Sequence, residues 1–302
     1  MSSVAETRPP AVHVDGLTKR FGRTVAVDDL TLSVPAGEVF GFLGPNGAGK
    51  STTIRLLLGL IRPSAGTATV FGVPASDVRR AHRLLGYVPG DVALWPELTG
   101  AEILELLGRV GPDVDTRYRA ELVSRFALDL DKRAKTYSTG NRQKIALVAA
   151  FSARADLLVL DEPTSGLDPL MEQEFQRCVG EARERGQTVF LSSHQLAEVE
   201  AVCDRVGILR AGRLVEIAGI AELRKLRRTT AEVAFRGQEP SLVDIPGVIE
   251  VERLDGDRVR FTLSGPPGPA LRALAAADVT TISMREPRLE EIFLDYYGEN
   301  AR

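Results

Sequence analysis

A glycine-rich segment that ends in a lysine and a serine has the composition of a phosphate-binding loop. Residues 44–51 read GPNGAGKS and match the pattern G-x-x-x-x-G-K-[ST]. Glycines allow the backbone to turn with positive φ, so that consecutive N–H groups point at phosphate oxygens. We expect Lys50 to reach the β and γ phosphates of a nucleoside triphosphate, and Ser51 to give an oxygen to Mg²⁺. The expected phosphate-binding residues are Gly44, Pro45, Asn46, Gly47, Ala48, Gly49, Lys50, Ser51 and Thr52.

Two adjacent carboxylates, Asp161 and Glu162, follow the apolar run 157–160. Such a run is typical of a buried parallel strand, and parallel strands present ligand-binding residues at their carboxyl ends. Successive strand residues point to opposite sides, so the two acids can have different tasks. We expect Asp161 to hold Mg²⁺ and Glu162 to orient or deprotonate a water molecule. An acidic pair at an exposed strand end is common by itself, but beside residues 44–51 it indicates phosphoryl-transfer chemistry.

The patterns around these residues predict alternating strands and helices. The compact apolar run 39–43 predicts a strand directly before the glycine-rich loop, and the apolar residues between 54 and 61 keep the 3.6-residue spacing of a helix. Further strands are predicted at 30–34, 157–160 and 189–192, with a closing hairpin at 206–215. This order is typical of an α/β fold.

We predict two domains after a short N-terminal tail. Residues 1–10 contain no apolar block and are expected to be a disordered tail. The α/β domain is predicted at 11–228, with a mostly helical subdomain at about 97–153. Short alternating strands, punctuated by glycine and proline, predict a small C-terminal α+β domain at 229–302.

The bulk composition excludes several classes of protein. The 302 residues carry a formal net charge of −3 and have a pI near 5.8, so no basic excess indicates a nucleic-acid partner. Cys178 and Cys203 form no close-spaced metal or redox motif, as expected for two reduced thiols. No apolar run approaches the roughly 20 residues of a membrane-spanning helix, and the N-terminus does not resemble a signal peptide. We therefore expect a protein that stays inside the cell.

Together these features resemble the ATP-binding subunit of an ABC transporter. Their order and spacing agree with that family over about residues 12–216, and such a combination is highly specific. The stretch YSTGNRQK occupies the place of the family's Leu-Ser-Gly-Gly-Gln signature. The resemblance implies a P-loop ABC ATPase core, in which a mixed sheet carries helices and a helical subdomain. The resemblance depends on residues 44–51, Asp161-Glu162, Ser165-Gly166-Leu167-Asp168, His194 and Tyr137 to Lys144.

The resemblance implies that two chains sandwich two ATP molecules. The signature residues Ser138, Thr139, Gly140 and Asn141 begin a helix whose N-terminus offers unpaired N–H groups to an anion. In this family that anion is the γ phosphate held by the second ATP-binding subunit. Asp168, in the segment that matches the family's D-loop, is implied to align the opposite site across the dimer.

Two further site residues are implied by the same resemblance. His194 matches the switch histidine that contacts the γ phosphate and helps to position water, beside Glu162 as the catalytic base. Phe21 occupies the aromatic position that stacks on adenine, with packing in the core as the alternative.

Gly90, Thr139 and Asn141 depart from the family pattern. Gly90 stands where a glutamine usually touches Mg²⁺ and the membrane partner, so we do not assign that role to Gly90; Asp91 or a water molecule can substitute. Thr139 replaces a glycine of the signature, and Asn141 replaces its glutamine. Because the serine and the second glycine of the signature are retained, we expect Mg²⁺-dependent ATP hydrolysis to survive.

The implied function is to power transport from the cytoplasmic face of the membrane through a separate permease. The loop 90–97, which contains Trp95-Pro96, is the candidate permease contact, and a packed turn beneath the helical subdomain is the alternative. Residues 284–293, MREPRLEEIF, resemble a closing segment common among ATPase subunits of bacterial drug, antibiotic and polysaccharide exporters. Export of a drug, antibiotic or other lipophilic substrate is therefore favoured over import.

Two other functions are alternatives to transport. A soluble ABC ATPase acting on ribosomes or nucleic acid usually carries two cassettes, long coiled coils or zinc modules. This sequence has one cassette, no long heptad run and no cysteine cluster. A nucleotide-binding regulator without turnover is suggested by Gly90 and Thr139. Release of phosphate from ATP would exclude the regulator.

Overall fold

The chain divides into two compact units, Met1–Ala218 and Gly219–Arg302. This division comes before the predicted boundary at Thr229, because a helix at Ile220–Lys225 groups with the second unit. Residues 1–8 of the predicted tail and residues 286–293 of the predicted closing segment lie outside the described residues. The computed structural model describes residues 9–225, 228–237, 241–242, 244–254, 256–275 and 277–285.

The first unit contains both strands and helices, as the sequence predicts, but they do not alternate throughout, because three strands open the unit and three helices follow one another in its middle. No helix in the described part of the chain has the length and apolar character needed to cross a membrane. In chain order the elements are β1 (Val12–Phe21), β2 (Thr24–Val34), β3 (Val39–Leu43), α1 (Lys50–Leu57), β4 (Ala65–Val70), β5 (Val73–Pro74), α2 (Val78–Ala81), β6 (Leu85–Val88), α3 (Gly100–Val110), α4 (Thr116–Arg125), α5 (Thr139–Ser152), β7 (Leu157–Asp161), α6 (Pro169–Glu184), β8 (Thr188–Ser193), α7 (Leu196–Val202), β9 (Arg205–Arg210) and β10 (Arg213–Gly219).

A six-stranded sheet with the order β10-β9-β3-β8-β7-β6 forms the centre of this unit. Strands β6, β7, β8, β3 and β9 pair in parallel. Every residue of β3, β7 and β8 is buried, as expected for strands that are covered on both faces. Phe40 and Phe42 on β3 pack against Phe190 on β8, with ring centroids 5.8 and 5.3 Å apart. The predicted hairpin is present as β9 and β10, joined at Ala211-Gly212.

The register of the parallel strands brings the expected site residues to one edge of the sheet. Leu43, the last residue of β3, is opposite Ser193 on β8. Asp161, the last residue of β7, is opposite Ser192, which is also on β8. Since the glycine-rich loop follows Leu43 directly, the loop and Asp161 must lie on either side of the end of β8.

A second, antiparallel sheet has the order β2-β1-β4-β5. The sequence pattern predicts only residues 30–34 of this sheet. Leu30, Leu32 and Val34 are buried and alternate with exposed residues, so one face of β2 packs inward. These residues belong to the same apolar core cluster as Phe42 of the central sheet, which fixes the two sheets against each other.

The segment 97–153 contains α3, α4 and α5, and side chains fix where each helix begins. Thr99 and Glu102 form the reciprocal hydrogen bonds of a capping box at α3, with Glu102 Oε2 accepting from the N–H of Thr99 at 2.8 Å. Asp115 accepts a hydrogen bond at the start of α4, and Ser138 does so at the start of α5. Each of these residues satisfies an N–H group that has no partner within its helix.

An ionic cluster connects α4 with α6. Arg125 on α4 contacts Glu174 on α6, and its Nη1 lies 3.0 Å from Oε1 of Glu181. Tyr118 donates its hydroxyl hydrogen to Glu181, and burial raises the pKa of Tyr118 above its usual range. Burial also raises the pKa of the neighbouring Cys178 thiol to about 12. The cluster holds the helical segment 97–153 against α6.

The second unit is a small α+β fold. Its strands form an antiparallel sheet with the order β12-β13-β11-β14, and Val233, Phe261 and Leu274 belong to its separate core. The short strands predicted for this region are present, whereas the sequence pattern does not predict α9 or β14. The elements are α8 (Ile220–Lys225), β11 (Arg228–Arg236), β12 (Val248–Leu254), β13 (Arg258–Ser264), α9 (Gly268–Ala275) and β14 (Asp278–Arg285).

Candidate active site

The glycine-rich loop leads into the N-terminus of α1. Gly49 has φ +108°, which L side chains rarely adopt, and Lys50 is the first residue of the helix. A Cβ atom at Gly49 would lie 2.4 Å from the carbonyl oxygen of Ala26, so no side chain fits there. The first N–H groups of a helix have no partner within it, and the helix dipole adds partial positive charge. This end of α1 therefore favours an anion.

Lys50 is buried beneath the loop and has three oxygen neighbours. Its Nζ donates hydrogen bonds to the carbonyl oxygens of Gly44 at 2.7 Å and Pro45 at 3.3 Å. The same atom lies 3.2 Å from Oε1 of Glu162. An ammonium group at this position is a compact positive charge of the kind that binds phosphate oxygens.

Ser51 and Asp161 converge from α1 and β7. The Ser51 hydroxyl donates to Oδ1 of Asp161 at 3.2 Å, and the Ser192 hydroxyl donates to the same oxygen at 2.5 Å. Asp161 is buried, so hydroxyl donors are needed to offset the cost of its desolvation. Hydroxyl and carboxylate oxygens are ligands that Mg²⁺ prefers. The two residues predicted to hold the metal are therefore adjacent.

Glu162 and His194 form a hydrogen-bonded pair. Oε2 of Glu162 lies 2.5 Å from Nδ1 of His194; the carboxylate is 20% exposed and the imidazole 46%. Glu162 has φ +48°, a left-handed conformation that costs about 1–3 kcal/mol and persists only where neighbouring contacts hold it. One such contact is the hydrogen bond from its N–H to the carbonyl oxygen of Ser192 at 3.1 Å. Asp161 and Glu162 thus have different neighbours, as the sequence predicts.

Most of the expected site residues line one cleft of about 560 Å³. Tyr87 also lines it, and burial together with the negative charge of Asp161 raises the pKa of this tyrosine to about 12. Gly44 and Pro45 do not line the cleft, but their carbonyl oxygens accept hydrogen bonds from Lys50, which does. The cleft brings together a lysine, hydroxyl groups and carboxylates. Groups of these types can bind and hydrolyse a phosphate anhydride. The predicted lining residues of the cleft are Asn46, Gly47, Ala48, Gly49, Lys50, Ser51, Thr52, Asp161, Glu162 and His194.

Gly90 and Asp91 line the cleft as well. A Cβ atom at Gly90 would lie 3.3 Å from the carbonyl oxygen of Asp161 and 3.6 Å from its Oδ2. A longer side chain at position 90 would therefore reach the carboxylate that is expected to hold Mg²⁺. Gly90 leaves the space beside the Asp161 carboxylate open. Asp91 is the neighbouring residue whose side chain has oxygen atoms that could bind a metal ion.

The signature residues lie outside this cleft. Ser138 accepts a hydrogen bond from the N–H of Asn141 at 3.2 Å, and both Ser138 and Thr139 are exposed. None of the four signature residues, all in the described part of the chain, lines the cleft. A Cβ atom at Gly140 would lie 2.5 Å from the carbonyl oxygen of Gly166. The start of α5 is therefore packed directly against the loop that precedes α6.

Asp168 and Phe21 are also absent from the cleft lining. Asp168 caps α6, where its Oδ1 accepts from two backbone N–H groups at 3.1 Å. Phe21, at the end of β1, is 51% exposed, and the Lys19 ammonium lies 5.0 Å from its ring centroid. Core packing as the role of Phe21 is therefore wrong. Stacking on adenine stays a prediction.

The sequence patterns miss three side chains that support the site. Ser192 donates to the carboxylate described above, and Gln143 on α5 donates to the carbonyl oxygen of Pro163 at 2.9 Å. Glu198 on α7 accepts hydroxyl hydrogen bonds from the segments next to the catalytic candidates. A run of hydroxyl side chains directly before His194, at the end of an apolar strand, is the signal that points to Ser192. No comparable pattern points to Gln143 or Glu198.

Comparisons with known proteins agree with this geometry. Residues 27–165 match the family described as ABC transporter. The chain is 35% identical to the daunorubicin/doxorubicin resistance ATP-binding protein DrrA of Streptomyces peucetius, over 96% of this chain and 93% of that protein. It is 32% identical to the linearmycin resistance ATP-binding protein LnrL of Bacillus subtilis (strain 168), over 96% and 99%. A solved structure of the ATP binding subunit of an ABC transporter matches with a TM-score of 0.66 and 31% identity, over 71% of this chain and 92% of that chain.

Proposed function

The chain belongs to the ATP-binding subunits of ABC transporters, and from that premise we propose that it powers export of a lipophilic drug or antibiotic through a separate permease. ATP binding and hydrolysis are the activity of this family, and the chain is an ATPase of this type. The observation that carries the assignment of residues is that Lys50, Asp161, Glu162 and His194 line one cleft.

The phosphates of ATP bind at the glycine-rich loop, where α1 begins and Lys50 supplies positive charge. The Ser51 hydroxyl and the Asp161 carboxylate, 3.2 Å apart, fit Mg²⁺, because this ion is held by few protein oxygens together with the phosphates of a substrate. Held by these two residues, Mg²⁺ would neutralise charge on the β and γ phosphates. Phe21 remains exposed at the end of β1, available to stack on adenine.

Glu162 acts as the general base. The water oxygen bonds to the γ phosphorus, the bond from that phosphorus to the β-phosphate oxygen breaks, and Glu162 accepts the water proton, which gives ADP and phosphate. His194 orients the Glu162 carboxylate through the 2.5 Å contact of Nδ1 with Oε2. Lys50 stabilises the negative charge that develops on the phosphates.

A second copy of the chain completes each site. Ser138 and Thr139 are exposed and lie outside the chain's own cleft, so the N-terminus of α5 is free to face phosphate on another copy. The close approach of Gly140 to Gly166 places the signature beside the loop that leads to Asp168. ATP then holds two chains together, and hydrolysis releases them.

The permease binds at an apolar groove of about 320 Å³ beside the helical segment. Trp95 and Val110 line this groove and are 49% and 75% exposed. Exposed apolar groups that share one groove are typical of protein contacts. The exposure of Trp95 argues against a packed turn at 90–97. Gly90 lines the nucleotide cleft and Trp95 lines the apolar groove, so the loop 90–97 connects the two sites. By binding the permease at this groove, the chain attaches to the cytoplasmic face of the membrane.

Export of a drug or antibiotic is supported by the full-length similarity to the two resistance proteins described above, which includes the second unit. The cargo itself contacts the permease, so its identity depends on residues of that partner. A direct test is the accumulation of a fluorescent drug such as daunorubicin in cells that express both chains. We expect accumulation to fall, and to be restored by Lys50→Ala.

Steady-state hydrolysis by the purified chain tests the proposed active site. We expect Glu162→Gln to lower kcat by about a hundredfold or more, because the transition state loses its positioned base, while ATP still binds. Lys50→Ala should lose ATP binding. Glu184→Gln, at the exposed end of α6, is the matched control and should keep the parent rate. Undiminished turnover by Glu162→Gln contradicts the assignment. A parent chain that releases no phosphate, alone or with its permease, favours the regulator.

Co-purification tests the permease groove. We expect Trp95→Ala to weaken recovery of the permease with the tagged chain, because the largest exposed apolar contact is removed. Leu60→Ala changes a similarly exposed apolar residue that does not line the groove and should leave recovery unchanged. Equal recovery with both variants would place the permease elsewhere.

A further inference from the structure

Two chain segments carry the proposed base and its histidine. Glu162 follows β7, and its left-handed backbone at φ +48° needs contacts on both sides to persist. His194 follows β8 directly. The 2.5 Å hydrogen bond between their side chains therefore depends on how these two segments are held relative to each other.

One carboxylate, that of Glu198 on α7, bridges the two segments. Its Oε1 accepts a hydrogen bond from the hydroxyl of Thr164, two residues after Glu162. Its Oε2 accepts a hydrogen bond from the hydroxyl of Ser193, the residue before His194. Both oxygens are thus used, one for each segment.

The surroundings of Glu198 make these hydrogen bonds strong. Burial raises the pKa of Glu198, while the hydroxyls of Ser193 and Thr164 oppose that rise by stabilising the charged form. Hydrogen bonds to a carboxylate are stronger than those between neutral groups, and a partly desolvated setting strengthens them further. The charge of Glu162 also raises the pKa of Glu198, and that of His194 lowers it.

The contacts of Glu198 are with the segments and not with the reacting groups. Glu198 is not among the described residues that line the nucleotide cleft, and its side chain has both oxygens occupied by hydroxyl donors. Ser193 is held in turn by the N–H of Gln195 at 2.9 Å, so the turn after β8 is fixed as well. Loss of Glu198 would release the Thr164 and Ser193 hydroxyls together.

We propose that Glu198 is a positioning residue for ATP hydrolysis, which sets Glu162 and His194 in register by bridging Thr164 and Ser193. The inference rests on the proposed function, because it requires Glu162 to be the base. It assigns to α7 a task in the chemical step, although α7 contributes no residue to the cleft lining among the described residues.

Steady-state kinetics of the full chain test this role through the separation of kcat from KM. We expect Glu198→Ala to lower kcat by about 10- to 100-fold, since a small displacement of a catalytic group has an effect of that size, and to leave KM for ATP within about twofold. Glu198→Gln can still bridge both hydroxyls and should restore kcat to within about threefold of the parent. Glu184→Ala on α6 is the control and should have parental kinetics.

Thr164→Val keeps the size of the side chain and removes only one arm of the bridge. We expect a fall in kcat smaller than that of Glu198→Ala, again without a change in KM, and this variant serves if Glu198→Ala does not fold. The proposal is overturned if Glu198→Ala and Thr164→Val both keep the parent kcat, or if they raise KM while kcat is constant. It is also overturned if the kcat of Glu198→Gln is as low as that of Glu198→Ala. Turnover that survives Glu162→Gln would instead refute the proposed base, a result distinct from any of these.

Discussion

Gly140→Ala is the substitution whose effect the structure defines most sharply. The added Cβ would lie 2.5 Å from the carbonyl oxygen of Gly166, about 0.9 Å closer than the 3.4 Å at which ordinary contact begins. The obstacle is backbone, so a rotamer change cannot relieve it. The start of α5 must then move away from the loop before α6, and overpacking of this kind costs about 1–3 kcal/mol.

Gly180→Ala provides the matched control. Gly180 is on α6, and a Cβ atom there would meet nothing within 4 Å. Replacing a helical glycine by alanine stabilises a protein by about 0.5–1 kcal/mol where space allows. Gly140 is in the first turn of α5 and gains less helix propensity than Gly180, so the two variants differ by the steric cost and a smaller difference in propensity.

Thermal unfolding and ATP hydrolysis together measure this effect. We expect Gly140→Ala to unfold about 2 to 12 °C below Gly180→Ala, since the cost is about 1–3 kcal/mol and 1 kcal/mol corresponds to about 2–4 °C for a domain of this size. We also expect its kcat to fall by about a hundredfold, because a displacement near 1 Å of a group that contacts the transition state has that consequence. Equal melting temperatures, with parental hydrolysis by Gly140→Ala, would show that the contact with Gly166 does not fix the start of α5.

Three further predictions concern stability and reactivity. Arg125→Met should lower the free energy of unfolding in urea by about 3 kcal/mol, because Glu174 and Glu181 of α6 lose their shared buried cation and Glu174 is left with the exposed Arg177, 3.5 Å away. Arg109→Met breaks an exposed pair and should cost less than about 1 kcal/mol, so equal losses would contradict the role of burial. Cys178 and Cys203 should react with a thiol reagent only after unfolding, because burial raises both pKa values, and rapid labelling of the native chain would count against this. The N–H of Thr99 lowers the pKa of Glu102, so this carboxylate stabilises the fold above its unfolded pKa and ceases to do so as pH falls through the folded value. The melting temperature of Glu102→Gln should therefore fall less than that of the parent between pH 6 and pH 3, and parallel curves would exclude the effect.

Local sequence predicts where the phosphate loop and the acidic pair lie, because each directly follows an apolar run that is typical of a buried strand. Residues 44–51 need only a preceding buried strand and a following helix, and both have clear periodicity. The lone strand prediction at 30–34, by contrast, misses most of the antiparallel sheet. β1 contains the polar run Thr18-Lys19-Arg20, β4 is a short segment of small residues, and the pairing of both depends on partners distant in the chain.

The contacts that support the site depend on tertiary structure and leave little trace in the sequence. Glu198 and Gln143 look like ordinary helix residues until the fold brings Thr164 and Pro163 to them. The left-handed backbone of Glu162 is equally unpredictable from its residue type, because neighbouring contacts impose it.

We expect the signature residues of one chain to close over the phosphate loop of another chain. A mixture of Ser138→Cys and Asn46→Cys chains tests it directly, since both positions are exposed and the native thiols are buried. In the Glu162→Gln background, we expect ATP and Mg²⁺ to allow a disulfide between the two kinds of chain, and omission of ATP to prevent it. Bound ATP without any cross-link between the chains would contradict the claim.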